Sequence, residues 1–165
     1  MKYIILYSAC LLLFITSTHA QDDEQAKVLH VVNQLFEGMR LGDSTMVHDT
    51  FHKEPTLFTT MTNREGQPVL HQGRLQDFLN AIGTPHDVVW HEPIWDTEVR
   101  VDGNLAQVWT KYAFYAGEQF SHCGVDAFQL FKSLEGWKIF HLTDTRQFSG
   151  CEVPEEVTAK YGNIK

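Results

Sequence analysis

The sequence predicts an α+β protein in which N-terminal helices cover the inner face of a curved antiparallel sheet. Three observations predict it. Residues 104–147 hold three strand-like stretches, joined through the lone glycines Gly117 and Gly136. Asp102-Gly103, a strong hairpin signal, ties a fourth stretch to them. Ahead of this meander, apolar residues recur at three- and four-residue spacing, the pattern of helices with one buried face.

The chain opens with Lys2, the apolar run YIILYSACLLLFI and then THA before Gln21. A charged start, an apolar centre and a small-x-small site describe a secretory signal. The expectation is a signal peptide over residues 1–20, one domain over 21–151 and a polar tail, loose or weakly helical, over 152–165. The product is exported, periplasmic or secreted, after cleavage near Ala20. The alternative is an uncleaved N-terminal anchor, but the apolar run is too short for a spanning helix, and nothing else in the chain would insert into a membrane. Losing Lys2 takes the formal charge from −8 to −9, which argues against nucleic acid or an anionic surface as partner.

Residues 22–42 form the first helix, with Val28, Val32, Leu35, Phe36 and Met39 as its apolar stripe and Gly42 as its left-handed end. Asp43 caps a short second helix over about 44–50. A strand at 56–61, a turn at NREGQ and a short strand PVLHQ follow. The third helix, RLQDFLNAI, turns Leu75, Phe78, Leu79 and Ile82 to one side and stops at Gly83 and Pro85.

The four long strands are expected over about 90–101, 106–116, 121–132 and 137–147. Alternation in WDTEVRV turns Trp95, Thr97 and Val99 inward. A turn at Asp102-Gly103 sets Val99 against Ala106. Tyr112 is placed opposite Gly124, where a glycine leaves room for a ring. Leu130 then faces Ile139, and Phe128 faces His141. The inner face runs from the apolar row Val99, Ala106, Leu130 and Ile139 to a polar-aromatic end. There lie Thr110, Asp126 and Thr143, then Tyr112, then His91, Phe114 and His122. Such a gradient suits a sheet curled around a ligand cavity.

The opening helix ending in LFEGMRLGD, Phe51-His52, the VDGNLAQVW hairpin, YAFY and the closing EGWKIFHLTDTR together resemble the nuclear transport factor 2-like superfamily, across nearly the whole mature domain. SHCGVDAFQLFK followed by EGWKI is similar to exported bacterial members filed as lumazine-binding. The resemblance implies a cone-shaped α+β fold with the N-terminal helices on the concave face. It also implies a homodimer through the outer sheet face, where Trp90, Trp109, Phe140 and Leu142 are expected. Other branches are isomerases, dehydratases and cyclases that work in the same cavity, but no branch's catalytic motif matches this chain residue by residue.

The candidate ligand-binding residues are Trp95, Thr110, Tyr112, His122, Asp126, Phe128, His141 and Thr143. Two readings stand side by side. In one, the cavity binds a small, partly aromatic organic molecule and its polar groups are simply satisfied. In the other, Asp126 or an Asp126–His141 pair is the base and Tyr112 polarises the substrate in a cofactor-free isomerisation, dehydration or cyclisation. A third reading uses the outer sheet face as an interaction surface. Asp126, between Trp95 and Phe128, should titrate high unless Thr110 and Thr143 bond its charged form. His52 either reaches the cavity or caps its helix; His91 and His122 sit at the mouth row.

No cofactor and no metal are expected. No histidine spacing matches a zinc site, and Pro93 after His91-Glu92 excludes a helical metalloprotease motif. The glycines fall singly, with no phosphate-binding loop. Cys123 and Cys151 survive cleavage and either form a disulfide or remain two thiols.

Overall fold

A computed structural model describes the backbone of residues 2–162 and the side chains of residues 21–162. The expected signal peptide over residues 1–20 lies outside the residues whose side chains are described, and residues 163–165 lie outside altogether. The elements run α1 (Lys2–Leu41), α2 (Ser44–Thr50), β1 (Phe51–Thr62), β2 (Pro68–Gly73) and α3 (Leu75–Gly83). Then follow β3 (Trp90–His91), β4 (Ile94–Asp102), β5 (Leu105–Ala116), β6 (Gln119–Ser133), β7 (Gly136–Arg146) and α4 (Glu155–Tyr161). Among the described residues no helix is long and apolar enough to cross a membrane.

The helices form where the apolar spacing put them. Val28, Val32, Leu35 and Met39 of α1 are buried, with Phe36 packed beside them. Each fully buried side chain of this kind contributes about 1.5–3 kcal/mol. Gly42 leaves α1 at φ 69°, and its N–H bonds the Met39 carbonyl. Asp43 then caps α2, its carboxylate accepting from the Met46 N–H at 2.9 Å. In α3, Leu79 and Ile82 are buried against the same core.

The seven strands form one curled, unclosed sheet in the order β2-β1-β7-β6-β5-β3, with β4 also paired to β5. All pairings are antiparallel except β1–β7, which is parallel. Helices α1, α2 and α3 cover the concave face. The β5–β6 register is the expected one, with Val108 opposite Phe128, Thr110 opposite Asp126, Tyr112 opposite Gly124 and Phe114 opposite His122. The β4–β5 turn sits one residue later than expected. Asp102 pairs with Leu105, and Val99 faces Val108 rather than Ala106, which keeps the same side inward.

Besides a shift at the far end of β5–β6, beyond Phe114, two β-bulges depart from the expected alternation, and each exchanges faces for everything beyond it. In β4 the register shifts between Trp95 and Glu98, where Asp96 holds φ 51°. Trp95 therefore stands opposite outward-facing Lys111, and residues 90–95 have the reverse parity to that expected. In β7 Phe140 is the extra residue: Leu130 pairs with Ile139, but Gln129 pairs with His141 and Phe128 with Leu142. His141 and Thr143 thus face outward, while Leu142, Asp144 and Arg146 face the helices.

The C-terminal segment carries a short helix, α4 (Glu155–Tyr161). Cys123 and Cys151 form a disulfide, with Cα atoms 6.2 Å apart. Beyond it, α4 lies on the outer face of the sheet. Val157, Tyr161 and Cys151 pack there with Trp95, Ala113 and Tyr115.

Candidate active site

Between the concave sheet face, α1, α3 and the β1–β2 hairpin lies a partly open cavity of about 480 Å³. Ligand pockets commonly span a few hundred to about 1,000 Å³. The walls are apolar and largely aromatic: Phe36 from α1, Phe78 from α3, Trp90, Phe114 and Phe128 from the sheet. Phe36 meets Phe128 edge-on with centroids 6.1 Å apart, and Trp90 meets Phe114 in the same way at 5.7 Å.

The far end is polar. Glu92, Tyr112, His122, Asp126, Asp144 and Arg146 line it. Asp144 is the organising acid. It accepts from Arg146 Nε at 2.7 Å, Thr59 Oγ1 at 2.6 Å and Tyr112 Oη at 3.3 Å. Tyr112 also donates to the Thr145 carbonyl at 2.9 Å. That hydroxyl is therefore engaged with the protein rather than free for a substrate carbonyl. Burial, with Asp144 and Asp126 nearby, pushes the Tyr112 phenol upward, so it stays protonated.

Asp126 is 3% exposed, and its Oδ2 has no hydrogen-bond partner. Burial first, then the charges of Glu92 and Asp144, drive its carboxyl well above the ordinary range, with Arg146 opposing. Glu92, a partly buried lining residue, is pushed up to about 8 by burial and by Asp144, against Arg146. His122 moves the other way, down to about 4, through burial and the Arg146 charge. Near neutral pH this end holds a neutral imidazole, one ion pair and two carboxyls that resist ionising.

The structure brings together Tyr112, His122, Asp126 and Phe128 of the expected ligand-binding set. It removes the others. Trp95 is turned outward by the β4 bulge and packs under the C-terminal segment. His141 is turned outward by the extra Phe140, so the Asp126–His141 pair does not exist; the two residues lie on opposite faces of the sheet. His141 is held there by Thr56 Oγ1 at 2.7 Å and Thr143 Oγ1 at 2.8 Å. Thr143 leaves the cavity with it. Thr110 keeps its inward face but is sealed in, bonded to Thr97 Oγ1 at 2.6 Å and to the Trp95 carbonyl at 3.2 Å. Neither threonine bonds Asp126, whose carboxyl burial pushes upward.

The same two bulges bring in the residues that alternation missed. Trp90 and Glu92 enter through β3 and the link to β4, while Leu142, Asp144 and Arg146 enter through β7. His91 leaves the mouth row and lies against Tyr161, ring centroids 5.0 Å apart. His52 meets Phe131 edge-on and does not line the cavity. Trp90 and Leu142 are lost from the expected outer apolar face. Among the described residues no three His, Cys, Asp or Glu side chains converge to hold a metal ion. One signal for the missed acid was readable: Asp144 and Arg146 stand two apart on a strand, the spacing of a same-face ion pair.

No protein-family model matches the chain, and no curated protein sequence does. Solved structures match over most of its length. A nuclear transport factor 2-like protein of unknown function from Shewanella baltica superposes with a TM-score of 0.57 at 18% identity, over 76% of this chain and 94% of its own. A candidate dehydratase of the nuclear transport factor 2-like family from Streptomyces avermitilis gives 0.58 at 14% identity, over 78% and 99%. The beta subunit of a candidate aromatic-ring-hydroxylating dioxygenase from Novosphingobium aromaticivorans gives 0.61 at 10% identity, over 74% and 88%. At these identities the likeness is one of fold.

Proposed function

We propose that this chain, which has the nuclear transport factor 2-like fold, is an exported protein that binds a small, partly aromatic organic molecule in its cavity. One observation carries the reading: a cavity of about 480 Å³ with aromatic walls and a cluster of polar groups at one end. An interaction module would more naturally fill that space with its own side chains. The test is mass spectrometry of small molecules released by denaturing the purified protein. A compound recovered from the parent and lost from the cavity-filling variant Leu57→Trp supports the reading. An empty parent that also binds no aromatic compound in a fluorescence screen of Trp90 overturns it.

A second reading is cofactor-free proton-transfer chemistry, as in an isomerase or dehydratase. A specific observation favours it: Glu92, raised to about 8, lines the cavity together with Asp126, whose carboxyl is raised by burial. Glu92 would take the proton and Asp126 would hydrogen-bond the developing oxyanion. A Glu92→Gln variant that turns over an identified substrate at the parent rate would remove this role.

Export is supported by the leader-like residues 1–20 and by the disulfide. Retention of residues 1–20 in the protein recovered from an exporting host would count against it. Homodimerisation through the open end of the outer face is supported by Leu105, Trp109 and Phe131, which are 53%, 48% and 42% exposed. Monomeric elution at high concentration, unchanged by Trp109→Lys, would count against it.

A further inference from the structure

The occupant's charge can be inferred from how the polar end of the cavity is satisfied. This inference rests on the cavity-binding reading and goes beyond it. Arg146 is the only cation at that end among the described residues, and its Nε sits 2.7 Å from Asp144. His122 is half-buried against Tyr112, Phe114 and Phe148, which favours the neutral ring. What remains uncommitted is acidic: Asp126, 3% exposed with an unpartnered Oδ2, and Glu92. A buried polar atom without a partner is costly, and native structures carry few of them. Trp90, Phe114 and Phe128 line the same cavity.

We infer that the molecule held here is an organic cation: an amine or amidine on an aromatic or aliphatic body, its N–H groups directed at Asp126 Oδ2 and Glu92. Both acids accept from a cation once ionised, and a wall ring that turns its face to the ligand would add attraction for positive charge. A ligand carboxylate would instead enter beside Glu92, Asp126 and Asp144, with Arg146 already engaged. A neutral ligand could take a hydrogen bond but no ion pair.

A linkage follows. With Glu92 raised by its surroundings, the empty cavity holds extra protons near pH 7. A bound cation favours the ionised acids, so binding expels protons, and affinity rises with pH until the amine itself titrates near about 10. The groups facing these acids are Tyr112 from β5, His122 from β6, and Asp144 and Arg146 from β7. At the mouth are His71 from β2 with Arg74 and Asp77 from α3, which pair with each other at 3.6 Å. From α1, among the described residues, Leu35, Phe36 and Met39 face the cavity.

The experiment is titration calorimetry of the mature chain with phenethylamine, phenethyl alcohol and hydrocinnamate, in buffers of differing ionisation enthalpy. The amine should bind about tenfold or more tighter than the alcohol, as a charge-assisted bond implies. It should release protons, and hydrocinnamate should bind weakest. In a Glu92→Gln/Asp126→Asn variant, shown folded by circular dichroism, the amine should lose its advantage while the alcohol's affinity persists. An alcohol or carboxylate that binds as tightly as the amine overturns the inference and leaves the cavity-binding reading standing. Binding by none of the three overturns both.

Discussion

Asp126 and Asp144 stand directly opposite each other across β6 and β7, two carboxyls on one face of one ladder. Like charges so placed destabilise a sheet unless one is neutral or compensated. Both devices are present. Arg146, Thr59 and Tyr112 hold Asp144, while Asp126, buried and unpartnered on one oxygen, resists ionisation. The site is therefore asymmetric: one acid is committed to charge, and its neighbour is kept from it.

Stability should fall as pH rises. Glu92 titrates at about 8 in the folded chain against a reference of 4.5, and Asp126 is likewise raised above 3.8. The folded state then binds more protons than the unfolded one across that window. Their contribution is fully present below about pH 4 and is lost as pH climbs toward 8. Thermal melts of the ligand-free chain should show a lower Tm at pH 8 than at pH 5.5. Glu92→Gln should flatten that slope and raise stability at pH 8 by about 1 kcal/mol or more. A slope unchanged in Glu92→Gln would remove Glu92 as its source.

His122 should remain neutral far below the usual histidine range. Its midpoint is about 4, set first by burial and second by Arg146. Imidazole proton shifts followed by NMR should be flat between pH 5.5 and 8. In Arg146→Met the midpoint should move upward yet stay under 6.5, because burial persists. The same variant should lose about 1–3 kcal/mol of stability. That is less than a fully buried pair costs, because the Arg146 side chain is 41% exposed.

Gly124 should not tolerate a methyl group. A Cβ there would lie 1.9 Å from the Thr145 carbonyl oxygen, which is backbone and cannot step aside. That carbonyl is the one Tyr112 donates to, and the Thr145 hydroxyl accepts from the Val125 N–H at 2.9 Å. Gly124→Ala should cost more than about 2 kcal/mol and disturb the Tyr112 contact. Chemical denaturation and the Tyr112 environment by NMR would report both. A melt matching the parent would mean the β6–β7 ladder yields more easily than its geometry implies.

This position also shows how far the sequence could be read. Tyr112 does lie opposite Gly124, but the space is taken by Thr145 rather than by the ring. The helices and the β5–β6 register were legible because long periodic runs over-determine them. The two bulges were not. One extra residue, at Asp96-Thr97 or at Phe140, leaves composition unchanged and reverses every side chain beyond it. Glu92 and Asp144 came in, and Trp95, His141 and Thr143 went out, through those two insertions alone. The parallel β1–β7 pairing was also beyond local reading, since no turn joins the two strands.

The disulfide should separate the outer face from the cavity. Cys123 to Cys151 closes a loop of 28 residues, and cross-linking one of that length contributes about 3–4 kcal/mol in the chain-entropy description. The bond holds the segment that carries α4 over Trp95 and Tyr115. The cavity draws most of its walls from the opposite face and from α1 and α3. Reduction, or Cys151→Ser, should therefore lower Tm by several degrees and expose Trp95 to quenchers. Hydrogen exchange should rise over 151–162 while protection of β5 and β7 persists. Affinity for a cavity ligand should change less than twofold. A large loss of affinity on reduction would show instead that the two faces of the sheet are coupled through β6, which carries Cys123 on one side and Asp126 on the other.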